Sequence, residues 1–224
     1  MTGFADGVRV GSRKGYHLGQ APKSWLVTLS HVPVILDRDG LAQAQQLGAA
    51  GNLTMNGALV TGGVGIFDVP RCVGFYSAAN LSLINFSAFG YDEYGYPVMG
   101  TVAGPNNSTV IVPKAMKRIV RLSADAAVGS NVEVGSTDRF GLPVRINSVT
   151  EVVHVGWAGT LARDAATFVV GDTTSPATAA TTDIRGTVVP SSASNGSRRL
   201  SLVLIADMTS KATQFGVRQF STGV

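Results

Sequence analysis

The sequence predicts an all-β chain, a sandwich or a barrel, and three observations lead there. From Arg71 onward, short β-branched or aromatic runs alternate with turn residues at spacings of roughly 8 to 12, the rhythm of strands in a two-layer or closed β fold. Stretches such as Glu93-Tyr94-Gly95-Tyr96 and Gly104-Pro105-Asn106-Asn107, with the residue types that reverse a chain, separate those runs. The length of 224 residues suits a single large β domain.

Residues 1–24 hold five glycines, several basic residues and no apolar period, which predicts an extended arm that orders against a neighbouring surface. Residues 25–224 then form the β domain. Its first segment, SWLVTLSHVPVIL at 24–36, is apolar and β-rich, with Pro33 barring a regular central strand. The Gln/Ala stretch Leu41–Leu47 predicts one or two helical turns, stopped by Gly48. GALVTGGVGIFDVP reads as a loop or a bulged strand. The strands follow in CVGFYSA, LSLINFSAFG, YPVMGTVA, STVIV, RIVRLSA, VEVGS, LPVRI, EVVHVGW, TFVVGD, IRGTVV and RLSLVLIAD. The last is apolar almost throughout and predicts a central strand. TTSPATAATT at 173–182 and PSSASNGS at 190–197 predict exposed loops.

Composition narrows the function classes. Charged residues make up 14% of the chain, well below the roughly 25% of soluble domains, so much of the surface is small and polar or is covered by other chains. The net charge of +4 is too small to argue for nucleic acid, and no aromatic ladder interleaves with the basic clusters. Those clusters are Arg13 with Lys14, Lys114 with Lys117, Arg118 and Arg121, and Arg198 with Arg199. Cys72 is the single cysteine, so no intrachain disulfide forms, and its apolar surroundings predict a buried small hydrophobe. No signal-peptide core and no run of 18 apolar residues occurs, which predicts a soluble chain made in a reducing cytoplasm.

The densest chemistry lies in GYDEYGYPVMG, residues 90–100. Asp92 and Glu93 are candidates for acid–base or calcium chemistry, but adjacent strand residues point to opposite faces and no further oxygen ligands follow at calcium-loop spacing. Tyr91, Tyr94 and Tyr96 are candidates for a stacking platform, and a hairpin whose tyrosines flank the turn is the most economical reading. His17, His31 and His154 are too scattered to predict a zinc triad. GGVG at 62–65 lacks the helix and acidic residue of a dinucleotide site, and neither a nucleophile elbow nor a P-loop occurs. No catalytic, cofactor or metal residues are therefore predicted.

The order of motifs from about residue 80 to 205 resembles virion structural proteins of tailed bacteriophages. The residues that carry the resemblance are Asp92, Gly95 and Pro97 of a hairpin; Gly104, Pro105 and Asn106 of a turn; Lys114, Lys117 and Ile119; and Gly135, Asp138, Gly141, Leu142 and Pro143. The resemblance implies a capsid cement or decoration protein, a jelly-roll sandwich commonly trimeric, on the exterior of the head. Such a protein braces a major capsid protein of HK97-like fold, without membrane or direct nucleic-acid contact. On this reading the arm residues Arg9, Arg13, Lys14 and Tyr16 contact the shell or a neighbouring subunit. Lys114, Lys117, Arg118 and Arg121 would meet an acidic shell surface. Two alternatives stand beside it: a tail or fibre protein gripping glycan through the tyrosine hairpin and the 173–182 loop, and a polysaccharide hydrolase using Asp92, Glu93 or Asp138.

Overall fold

In a computed structural model the described residues form fourteen strands and one turn of 3-10 helix. It describes residues 24–158, 162–172, 182–207, 215 and 219, and the backbone of 8–12. One antiparallel sheet has the order β1 (Val8–Ser12), β2 (Ser24–His31), β14 (Leu200–Asp207) and β11 (Val152–Trp157). The larger sheet runs β12 (Thr167–Val170), β13 (Gly186–Val189), β10 (Val128–Gly141), β6 (Val64–Asn80), β9 (Asn106–Ala124), β7 (Asn85–Tyr91) and β8 (Pro97–Ala103). Three short strands join its flanks: β3 (Ala42–Leu47) on β10, β4 (Gly51–Asn52) on β9 and β5 (Val60–Thr61) on β6. The chain is thus an all-β sandwich.

Because β3 and β4 are consecutive yet pair with β10 and β9, they draw the two ends of those long strands together and curl the large sheet on itself. That curl encloses a first core, with Leu41, Phe67, Phe75, Phe86, Met116, Ile119 and Leu122 at its centre. The small sheet covers the other end of the large one over a second core of Val27, Phe140, Leu142, Ile146, Val155, Leu202 and Leu204. The apolar β14 is central in its sheet, flanked by β2 and β11.

Several sequence expectations change here. The Leu41–Leu47 stretch is no helical turn, and its residues Ala42–Leu47 are strand β3: too short to nucleate a helix alone, the segment takes the edge of β10, and Gln45 bonds the neighbouring segment in both directions through Thr54. LPVRI at 142–146 forms no strand, although Leu142, Val144 and Ile146 are buried. LSLIN is a turn with Leu83 at its exposed tip, and β7 begins at Asn85. STVIV and RIVRLSA are one continuous strand, β9. Of the arm, residues 8–12 pair with β2 of the same chain, Arg9 opposite Thr28. Arg13, Lys14 and Tyr16 lie outside the described residues, as does most of the 173–182 loop.

Candidate functional site

The acidic, tyrosine-rich stretch is the hairpin between β7 and β8. Asp92 Oδ1 accepts the backbone N–H groups of Tyr94 and Tyr96, at 2.9 and 2.8 Å, and Gly95 takes φ of 83°, a conformation any side chain would strain. The side chain that looked catalytic thus ties its own loop. Asp92 is nearly inaccessible, and its other oxygen lies 3.2 Å from Nη1 of fully buried Arg185. That contact lacks hydrogen-bond alignment and acts as a charge contact. Burial pushes the Asp92 carboxyl above the usual carboxylate range, against the pull of Arg185 and the two N–H donors.

Around Arg185 the frame continues. Asp183 Oδ1 is 3.5 Å from its Nε, Nη1 donates to the Phe215 carbonyl at 2.9 Å, and the Tyr94 ring lies 5.2 Å away in a cation–π contact. Tyr94 donates its hydroxyl to the Pro143 carbonyl at 2.6 Å. Of the three tyrosines, Tyr94 is therefore structural, while Tyr91 and Tyr96 are exposed.

The basic cluster of β9 divides. Lys114 is 3% exposed, its Nζ donating to the Gln219 carbonyl at 3.1 Å, so it faces the interior and not an acidic partner. Lys117 is half-buried and donates to the Asp68 carbonyl at 2.6 Å. Burial lowers the pKa of both lysines. Arg118 and Arg121 reach the outer face together, which strict alternation forbids for residues three apart. The pairing explains it: Arg121 stands opposite Phe89 and Ile119 opposite Gly90, leaving Val120 as a bulge residue that restores Arg118, opposite Tyr91, to the face of Arg121. The result is an exposed patch in which Arg121 stacks on Phe89 at 5.5 Å and Phe89 meets Tyr91 edge-on at 6.1 Å.

A second frame lies at the junction of the sheets. In β6 the residues between Ile66 and Arg71 bow out of register with β9, and in β10 Thr137–Arg139 bow out opposite. Into this gap goes Arg71, with no accessible surface. It donates Nε and Nη2 to the two oxygens of Asp68 at 2.8 Å each, and Nη2 also to the Val34 carbonyl at 2.7 Å. Asp138 Oδ1 is 3.3 Å from Nη1 and also accepts the Ser194 hydroxyl at 2.6 Å. Burial works against the Asp68 charge, but the Arg71 fork and the N–H groups of Val34 and Val69 prevail and lower its pKa.

Beside this frame is a cavity of about 100 Å³ bounded by His31, Asp68, Glu93, Lys117 and Phe140. Neither nitrogen of His31 finds a hydrogen-bond partner among the described residues. Its pKa is pushed down to about 4 by burial first, then by Arg71, Lys117 and Arg199, with Asp68 opposing. Burial likewise raises the Glu93 pKa, with Arg185 and Lys117 opposing and Asp92 adding to the rise. A histidine that folds neutral must charge in the unfolded chain, so its contribution to stability grows as pH rises from about 4 to 6.5. The full difference is about 3 kcal/mol. We expect His31→Phe, which keeps the edge contact to Phe140, to flatten that acid limb, measured by urea unfolding at pH 4 and pH 7. A limb as steep as in the parent chain would assign it to other groups.

Among the described residues no three His, Cys, Asp or Glu side chains group as metal ligands, and no helix is long and apolar enough to cross a membrane. Cys72 is fully buried, and burial pushes its thiol up to about 12. Asp92 and Asp138, two of the acids considered for hydrolysis, sit in different frames, each held by its own arginine. The motif residues behind the resemblance do structural work: Asp92 and Gly95 in the hairpin, Asp138 in the Arg71 frame, Gly135 in a close chain crossing. Protein-family models give no match to the chain, and searches among curated proteins and solved structures give no significant similarity.

Proposed function

We propose that this chain is a cement or decoration protein of a tailed-phage head, bound to the shell exterior and bracing major capsid protein subunits of HK97-like fold. The observation that carries this reading is the patch of Arg118, Arg121, Phe89 and Tyr91 on the outer face of β7 and β9. Arginine and aromatic side chains are the types enriched in protein interfaces, the aromatics offering large rigid contact area and arginine a planar fork that pairs with carboxylates and stacks on rings. The Asp92–Arg185 frame at the adjoining hairpin limits what the patch loses in entropy on docking. An acidic partner surface fits the two exposed guanidinium groups. Trimeric assembly and a jelly-roll connectivity belong to the same proposal, as does a clamp role for Arg9, Arg13, Lys14 and Tyr16.

Repeated contacts of ordinary size would multiply into shell stability by avidity. We expect quantitative mass spectrometry of purified particles to give a copy number of the order of one per shell subunit. We further expect Arg118→Glu with Arg121→Glu to lower occupancy at least tenfold while leaving the melting temperature unchanged. A few copies per particle would place the chain in a tail or fibre instead. Full occupancy by the charge-reversed variant would remove the patch from the interface.

A further inference from the structure

A different face, where β3, β6 and β10 lie side by side, holds an open groove of about 530 Å³. Its chemistry comes from Arg38, Gln46, Tyr76, Ser77, Asn131 and Glu133. We propose that this groove binds a neutral oligosaccharide. The inference stands independently of the shell-binding role.

The groove is built from register outward. Tyr76 and Glu133 are direct cross-strand partners, so the phenol and the carboxylate share one face of the sheet. Arg38 lies over the Tyr76 ring at 3.9 Å and pairs with Glu133 at 2.6 Å. Arg38 gets there because the chain crosses β10 at Gly135, where a Cβ would collide with the Asp37 and Arg38 backbone. Ser136 N–H donates to the Asp37 carbonyl and Asp37 N–H to the Ser136 hydroxyl, both at 2.8 Å, which locks the crossing. At the other end Gln46 Nε2 donates to Asn131 Oδ1 at 3.3 Å, and Ser77 Oγ donates to the Asn131 carbonyl at 2.8 Å.

This arrangement selects for one ligand chemistry. Arg38 is already neutralised by Glu133, so an anion such as phosphate finds no unpaired cation. The amides of Gln46 and Asn131 and the Glu133 carboxylate suit a ligand rich in donors and acceptors rather than an apolar one, while the buried Ser77 hydroxyl, donating to Asn131 and accepting from Ala79, braces the groove from beneath. A sugar ring offers both a hydroxyl edge for Gln46, Asn131 and Glu133 and a C–H face for the stacked guanidinium and phenol. The volume falls within the roughly 300–1,000 Å³ of small-ligand sites. The side chains hold one another in place before any ligand arrives, which lowers the entropic cost of binding.

The test is a printed array of neutral oligosaccharides of hexoses and N-acetylhexosamines, probed with the full chain and followed by calorimetric titration of the strongest array sugar. Gln46 and Asn131 are exposed, so Gln46→Ala with Asn131→Ala should fold with an unchanged melting temperature. We expect the parent to bind at least one array sugar, the double variant to bind it at least tenfold more weakly, and Arg118→Glu with Arg121→Glu to bind it undiminished. No array signal, equal binding by the double variant, or binding confined to anionic glycans added as controls would each overturn the proposal.

Discussion

Arg71→Met is expected to destabilise the chain by about 3–5 kcal/mol, the cost of removing one partner from a buried ion pair and leaving the other without its counter-charge. Among the described residues Arg71 and Arg185 are the largest fully buried side chains, and Arg71 joins three parts of the fold: the bowed segment of β6 through Asp68, the bulge of β10 through Asp138, and the link after β2 through the Val34 carbonyl. Methionine fills much of the volume but donates nothing. Asp68, Asp138 and the Val34 carbonyl would then lose their shared donor. In a chain of this size that loss corresponds to a fall in melting temperature of roughly 10 °C. Calorimetry of the parent and variant checks it, and a fall below about 3 °C would mean that water replaces the guanidinium at little cost. The triple replacement Arg71→Met, Asp68→Asn, Asp138→Asn should recover part of the loss, because it removes the stranded charges.

Arg185→Met is the second large effect, again about 3–5 kcal/mol at neutral pH, because it leaves Asp92 and Asp183 buried with no cation between them. Here pH provides a signature. The folded-state pKa of Asp92 is already raised by burial, and losing the Arg185 pull raises it further. A carboxyl whose folded pKa exceeds its unfolded value costs stability above that window and ceases to cost it once protonated. The deficit of Arg185→Met is therefore expected to shrink as pH falls toward about 4, the unfolded carboxyl range. Urea unfolding of parent and variant at pH 7 and pH 4.5 measures it. An equal deficit at both would mean that lost packing against Tyr94, not stranded charge, is the cost.

How much of this was legible depends on the range of each interaction. Turn chemistry is local, so Gly95 and Asp92 could be assigned to a hairpin before any fold was known. Pro33 was expected to bar a regular central strand, yet β2 stops at His31, short of the proline, and runs between β1 and β14. The helical reading of Leu41–Leu47 failed because an edge on β10 outweighs the weak preference of a six-residue Gln/Ala strand. Among the candidate site residues, Arg118 and Arg121 are exposed, and it is the Val120 bulge, invisible in the sequence, that brings them to one face. Lys114 looked like its neighbours and is not, because its burial depends on Gln219, more than a hundred positions away. The groove of Arg38, Tyr76 and Glu133 gave no sequence signal at all. Its parts come from three separate segments.

The alternation of β-branched runs with turns, by itself, determined an all-β chain and most of its strands, because a strand's period of two and a turn's backbone requirements are written within a few residues. Tertiary structure alone decided register, bulges and the pairing of buried charge. Those depend on contacts between residues such as Arg71 and Asp138 or Asp92 and Arg185, whose meeting is set by how the strands order themselves and not by anything either residue carries along the chain.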